Sequence, residues 1–170
     1  MESERFHQLF LSEIRRRLFD ESWPRIRKCL QLMSEAEIWA RPNASSNSVG
    51  NLVLHVCGNA RQWIVSGLGG AADGRVRALE FSEKGPIPTA DLLHLLDHLE
   101  RDACYVLDQL TPENLTASYV IQGFEENGIS VLVHVTEHAS YHTGQISYLA
   151  KAAKDIDLKY YSGNLDVTNE

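Results

Sequence analysis

The 170-residue chain is poor in cysteine, methionine and proline, with three, two and five respectively, and it contains no long apolar run. Cys29, Cys57 and Cys104 are odd in number, far apart and outside any C-x-x-C pattern, which argues against both a disulfide framework and a zinc–cysteine site. Reduced thiols in a cytoplasm are the simplest expectation. No apolar run approaches the roughly 18 residues that a membrane span needs, and the N-terminus MESERFHQ is charged where an export signal is apolar. The sequence therefore predicts a soluble cytoplasmic protein with no membrane partner. Positive charge is also scarce: 16 Lys and Arg against 23 Asp and Glu leave a formal net charge of −7. A nucleic-acid binder presents a lysine- and arginine-rich face, so no nucleic-acid partner is expected. The densest basic run, Arg15 to Arg17, is followed at once by Asp20 and Glu21 and reads as a solvated helix surface. Also missing are H-E-x-x-H, a P-loop, a dinucleotide fingerprint and the paired Glu-x-x-His motifs of di-iron bundles, which sets those chemistries aside.

What is present is helical periodicity. Phe6, Phe10, Ile14 and Leu18 recur at helical intervals, and Trp23, Ile26, Leu30 and Met33 resume on a shifted face, which predicts a first helix from Glu4 to about Met33 with a kink or break near Pro24. RPNASSNS interrupts the pattern, and Asn47 offers an N-cap for a second helix running to about Leu68. A third helix, beginning after Thr89 and ending at Leu110, carries the stripe Leu92, Leu96, Leu99, Ala103, Val106 and Leu110. A fourth spans about Ser130 to Lys154. The links after the second and third helices are each about twenty residues, long enough at roughly 3.3 Å per residue to recross the bundle or to fold over a site. Tyr119, Ile121 and Phe124 can form a short extended segment within the second link. These features predict an all-α four-helix bundle over residues 1–154, with a polar tail over 155–170 packing on the bundle or extending from it. A chain of this length buries about 70% of its unfolded surface and needs no metal to fold, so a metal here has a functional role.

HVTEHASYHTGQ, residues 134 to 145, spaces His134, His138 and His142 by four. At about 100° per residue, His142 falls near the middle of the apolar stripe of Val131, Val135, Ile146 and Leu149, and His138 at its edge. His134 lies another 40° or so outward, and its Cα is about 12 Å along the axis from that of His142, too far to share a metal comfortably, which places it on the flank, behind a ligand or at the rim where substrate binds. His94 and His98, the other H-x-x-x-H pair, lie opposite the Leu92, Leu96, Leu99 stripe and are expected to face water. A site with an open position needs a third ligand from another helix. NSVGNLVLHVCGN supplies one: Asn47, Asn51, His55 and Asn59 form a ridge without charge, where a solvent face of that length usually carries lysine or glutamate. Asn51 and Asn59 are placed to hydrogen-bond the site or its substrate, and Gln145, about a turn beyond His142, to bond a ligand or a coordinating ring. Glu137 points away from His138, and Cys57, about 200° around the helix from His55, is not expected to share a metal. The same pattern fits neutral core histidines bonded to a carbonyl or to a hydroxyl such as Tyr141 or Ser140.

NSVGNLVLHVCGN at 47 to 59, ARQWIVSGLGG at 60 to 70, RVRALEF at 75 to 81 and HASYHTGQI at 138 to 146 together resemble the DinB-like (YfiT-like) superfamily, and within it the DUF1572 branch. The resemblance covers about Arg5 to Ala153. It implies an up-down-down-up order of helices, a homodimer, and a divalent metal held by His55, His138 and His142, with zinc or nickel ahead of iron or manganese. It further implies a thiol-dependent transferase acting on a small electrophile with a low-molecular-weight thiol as cosubstrate, in which no catalytic side chain is identified. A metal-activated hydrolase and a non-catalytic bundle that binds metal or a partner protein are the rival readings. The second would lack a substrate-sized cavity beside the histidines.

Overall fold

In the computed structural model, which describes residues 2–161 and 163, the first long helix begins as α1 (Glu2–Arg15), widens into a π-helical run (Arg16–Ser22) and continues as α2 (Trp23–Leu32). The expected kink at Pro24 is therefore a π segment placed just ahead of the proline. The Trp23 amide donates to the Leu18 carbonyl, five residues back. Proline has no amide to donate and its ring crowds the carbonyl four residues before it, and a wider turn relieves both problems without ending the helix. That wider turn also rotates the helix face, which is why the apolar stripe shifts between Leu18 and Trp23.

A short helix, α3 (Glu35–Trp39), leads to α4 (Val49–Ala60), which ends in a second π-helical run (Arg61–Leu68). The N-cap of α4 is Ser48 rather than Asn47: its hydroxyl accepts from the Asn51 amide while the Asn51 side chain reaches back to the Ser48 amide. A capping box needs its two members three residues apart, and only Ser48 has a suitable partner at that distance. Nearly every side chain of α4 is buried, polar ones included, as expected for a central helix apolar on most of its circumference.

The next link carries α5 (Arg77–Ser82), followed by α6 (Thr89–Gln109), whose predicted stripe is buried throughout. After α6 come α7 (Pro112–Thr116) and a hairpin, β1 (Ser118–Ile121) paired antiparallel with β2 (Phe124–Asn127). Gln122 and Gly123 at its tip have φ of 54° and 83°, the positive pair of a tight two-residue hairpin turn. The last long helix is α8 (Gly128–Lys154), capped by Asn127. Both long links are thus structured, and the first of them runs along α4, from Gln62 past His55 to Asn51.

α8 packs against both α2 and α4, and α6 against the same two, so the first and second long helices face each other across the bundle. That arrangement sets α4 directly beside α8, the two helices that carry the candidate ligands. Beyond Asp155, Leu158 is buried, and the Tyr160 hydroxyl lies 2.7 Å from Ser147 Oγ and 3.3 Å from Cys29 Sγ. This much of the tail packs on the bundle; 162 and 164–170 lie outside the described residues. Among the described residues no helix is long and apolar enough to cross a membrane.

Candidate metal site

Where α4 and α8 meet, His55, His138 and His142 each bring one ring nitrogen within 4.8 Å of the others. His55 Nε2 and His138 Nε2 are 3.0 Å apart, and the His142 ring centroid lies 5.0 Å from that of His55 and 4.4 Å from that of His138. Two nitrogens bound to one cation at about 2.0–2.1 Å stand roughly 2.9–3.4 Å apart as their angle opens from square to tetrahedral. The observed separation falls in that range. The donor set, three imidazoles with no carboxylate or thiolate, suits zinc, nickel, iron or copper.

Two of the rings are held by hydrogen bonds on the nitrogen facing away from the cluster. His55 Nδ1 lies 2.8 Å from Glu80 Oε2, so the Nδ1–H donates to the carboxylate and the Nε2 lone pair is left toward His138. His142 Nδ1 lies 2.7 Å from Gln145 Oε1, which has the same effect, and Gln145 Nε2 in turn donates to the Tyr141 hydroxyl. A ring orienter of this kind fixes the tautomer and raises ligand basicity. Glu80 is itself buried and is gripped by Arg75, whose Nε donates to Oε1 at 2.7 Å and whose Nη2 donates to Oε2 at 3.0 Å. Burial opposes the carboxylate's charge, but the bonds from His55 and Arg75 outweigh it and hold Glu80 below the usual range. Arg75 Nη1 continues to Gln62 Oε1, which also accepts from Gln122 at the hairpin tip.

Burial, reinforced by the neighbouring imidazoles of His142 and His55, pushes His138 down to about 3. Burial also lowers His142 against the opposing bond from Gln145, and lowers His134 against Glu126 and Glu137. His138 and His142, the two candidate ligands on α8, are thus held neutral near pH 7, so binding a cation there does not require displacing their protons. The metal-free protein should show the consequence in its stability. An unfolded histidine takes up a proton near pH 6.5 while the folded rings resist it, so the unfolded chain binds more protons and stability falls with pH below about 6.5. For His138 the loss continues toward pH 3. Between about pH 6.5 and 4.5, above the range where carboxylates titrate, the midpoint of urea unfolding should fall more steeply for wild type than for His138→Gln. Equal slopes would mean that the cluster is not the source.

The third evenly spaced histidine stands apart from the cluster. His134 Nε2 pairs with Asn59 Nδ2 at 3.2 Å, its ring stacks on Trp63 at 4.0 Å between centroids, and it lies 5.8 Å from the His138 ring. Asn59 is thus engaged with His134. Asn51 serves the site at one remove: its Nδ2 donates to the carbonyls of Glu80 and Glu83, tying α5 to α4 one turn before His55. Glu137 lines a different groove, beside Glu13 and Arg17 of the first long helix. His94 and His98 are exposed, as their phase predicts. Cys57 is buried and its thiol is pushed up to about 12 by that burial, which keeps it protonated and poorly suited to bind metal.

Arg75, Glu80 and Phe81 were not identified as site residues from the chain alone. The one local signal was Gly58, a glycine inside α4 and three residues beyond His55, on the same face. A Cβ built at position 58 would stand within 2.1 Å of Glu80 Oε1, so the glycine makes room for the carboxylate. The three histidines open onto a cavity of about 1070 Å³, walled also by Phe81, whose ring centroid is 4.6 Å from that of His55.

Two solved structures share this architecture. A DinB-like protein from Bacillus cereus ATCC 10987 superposes with a TM-score of 0.63 at 18% identity, covering 85% of this chain and 90% of its own. A DinB-like protein from Bacillus subtilis gives 0.63 at 19% identity, covering 85% of this chain and 91% of its own. At such identities the likeness establishes the fold alone. No curated protein matches the chain. The family model described as "Protein of unknown function (DUF1572)" matches residues 5–164, a span that includes all three histidines together with Arg75, Glu80 and Gln145. With the DinB-like fold, the chain belongs to the DUF1572 family.

Proposed function

We propose that the protein is a metal-dependent transferase in which His55, His138 and His142 hold one divalent cation, zinc or nickel ahead of iron or manganese, and a low-molecular-weight thiol attacks a small electrophile. The observation that carries this reading is the cavity of about 1070 Å³ opening directly on the three imidazoles. It is large enough for two small reactants, since ligand sites usually measure about 300–1,000 Å³. A metal-storing or purely structural site has no use for such a space. When bound, the cation supplies a lowered pKa for a thiol beside it. Three neutral ligands leave its positive charge uncompensated, which favours an anionic sulfur.

The residues of the chain position the rest. Glu80 and Gln145 fix the His55 and His142 rings, and Leu52, Phe81 and Leu149 give the cavity wall an apolar part. In the reaction the sulfur forms a bond to the electrophilic carbon as that carbon's leaving group departs with its electron pair, and the thiol proton passes to solvent. A hydrolase would use the same ligands with water in place of the thiol, and side-by-side assays distinguish the two.

The test begins with protein purified without a histidine tag. Mass spectrometry should find close to one equivalent of a divalent metal, and less than a tenth of an equivalent would sink the metal claim. Metal-loaded protein should then accelerate conjugation for at least one thiol and electrophile pair. Inertness across several thiols, with metal bound, would leave the metal site standing and remove the transferase.

A further inference from the structure

The chain is acidic, yet among the described residues the wall of the histidine cavity carries no carboxylate and one permanent cation, Arg77. Two arginines of α5 and its approach have opposite settings. Arg75 is spent on Glu80 behind His55, whereas Arg77 is exposed, makes no ion pair among the described residues, and lies with its guanidinium 4.8 Å from the Phe81 ring centroid. Phe81 also touches His55, with 4.6 Å between ring centroids. Those two lengths placed end to end are the farthest that the guanidinium can lie from the His55 ring. An arginine held on an aromatic ring keeps its planar edge and several N–H groups free, the geometry that meets a carboxylate or phosphate with two parallel hydrogen bonds.

We infer that the cavity selects an anionic organic substrate, with Arg77 binding its carboxylate or phosphate at one end while its reacting atom lies at the histidine cluster. The inference rests on the metal-dependent reading above and adds the charge of the substrate to it. Two positive centres, the cation and Arg77, stand a short organic chain apart in a cavity whose remaining wall is neutral. Hydroxyl and amide groups of Ser45, Ser46, Asn47 and Gln145 line the same space and suit a polar substrate body. An acidic protein surface repels anions in general, so a cavity free of carboxylates is the place where an anion meets least opposition.

Cobalt(II)-loaded, tag-free protein tests this with 6-mercaptohexanoate and its uncharged counterpart 6-mercaptohexanol, read by the change in the visible cobalt spectrum. Wild type should bind the carboxylate thiol roughly fivefold to tenfold more tightly than the alcohol, the size of one charge-assisted pair that is partly exposed to water. Arg77→Gln should abolish that preference without weakening the alcohol, and Arg77→Lys should keep part of it. Arg77 is exposed, so neither variant is expected to disturb folding, and unchanged thermal unfolding confirms this. If Arg77→Gln keeps the full preference, the carboxylate is bound by the cobalt itself and the assignment of Arg77 is overturned. If wild type shows no preference, the anionic substrate is overturned while the metal site stands. If cobalt gives no protein-dependent spectrum at all, both this inference and the reading beneath it fail.

Discussion

Replacing His142 with alanine should lower the metal content of tag-free protein from near one equivalent to below a tenth, with a loss of affinity of at least about 100-fold, since outer-sphere changes alone cost roughly 10–100-fold. The expectation follows from how few donors the site has. His55 comes from α4 and His138 and His142 from α8, and removal of one leaves two imidazoles with no carboxylate on the cavity wall to replace it. Gln145 would also lose its partner, because its Oε1 accepts from the His142 ring. The informative control is His134→Ala. His134 repeats the same spacing but is stacked on Trp63 and paired with Asn59, so its removal should leave the metal content near that of wild type. Metal analysis after gel filtration, together with circular dichroism to confirm helicity, decides the matter. Equal metal loss in the two variants would mean that the row of histidines, not the two-helix cluster, binds the ion.

Gly58→Ala should destabilise the protein and weaken metal binding together, although alanine is the better helix former. By propensity alone the change would stabilise α4 by roughly 1 kcal/mol. The new Cβ, however, would lie 2.1 Å from Glu80 Oε1 and 3.0 Å from Arg75 Nε, inside the contact distance of both members of a buried ion pair. Overpacking a filled site costs about 1–3 kcal/mol, and separating a buried pair costs about 3–5 kcal/mol. A net loss of about 1–3 kcal/mol in urea unfolding of the metal-free protein is therefore expected after partial relaxation. Because Glu80 orients His55, metal affinity should fall roughly 10–100-fold in the same variant. Unchanged stability with unchanged affinity would show that the carboxylate has another resting place and that Gly58 is not what makes room for it.

The two predictions draw on different kinds of information. The histidine set was legible in the chain because helical phase is a local property. At a fixed rotation per residue, the apolar residues around His138 and His142 reveal which way those rings point, and the same rule turned His94 and His98 outward. His55 was legible from the missing charge on its ridge. The structure gives the physical cause: α4 is the central helix, so that ridge meets protein on nearly every side. The stripe of α6 followed from periodicity in the same way, whereas the extended segment at Tyr119, Ile121 and Phe124 was legible only as such, and its pairing into a hairpin came from the structure.

Other features had only weak local signatures. The face shift near Pro24 pointed to a kink or a break, and a π segment satisfies the same pattern without interrupting the helix; only the backbone path distinguishes them. Asn51 reads from the chain as a residue that hydrogen-bonds the site or its substrate, and only the structure shows how it serves the site: its Nδ2 finds the carbonyls of Glu80 and Glu83 and ties α5 to α4. The charged partners behind His55 were not identified at all: Arg75 and Glu80 lie 20 and 25 residues along the chain, in a link whose composition resembles an ordinary surface loop. The sequence by itself determined which residues are ligand candidates and which helix face each occupies, since both depend on neighbours within a turn or two. Only the tertiary structure decided what lies behind those ligands, where the cavity opens and which arginine faces it, because those depend on how a folded link returns over α4.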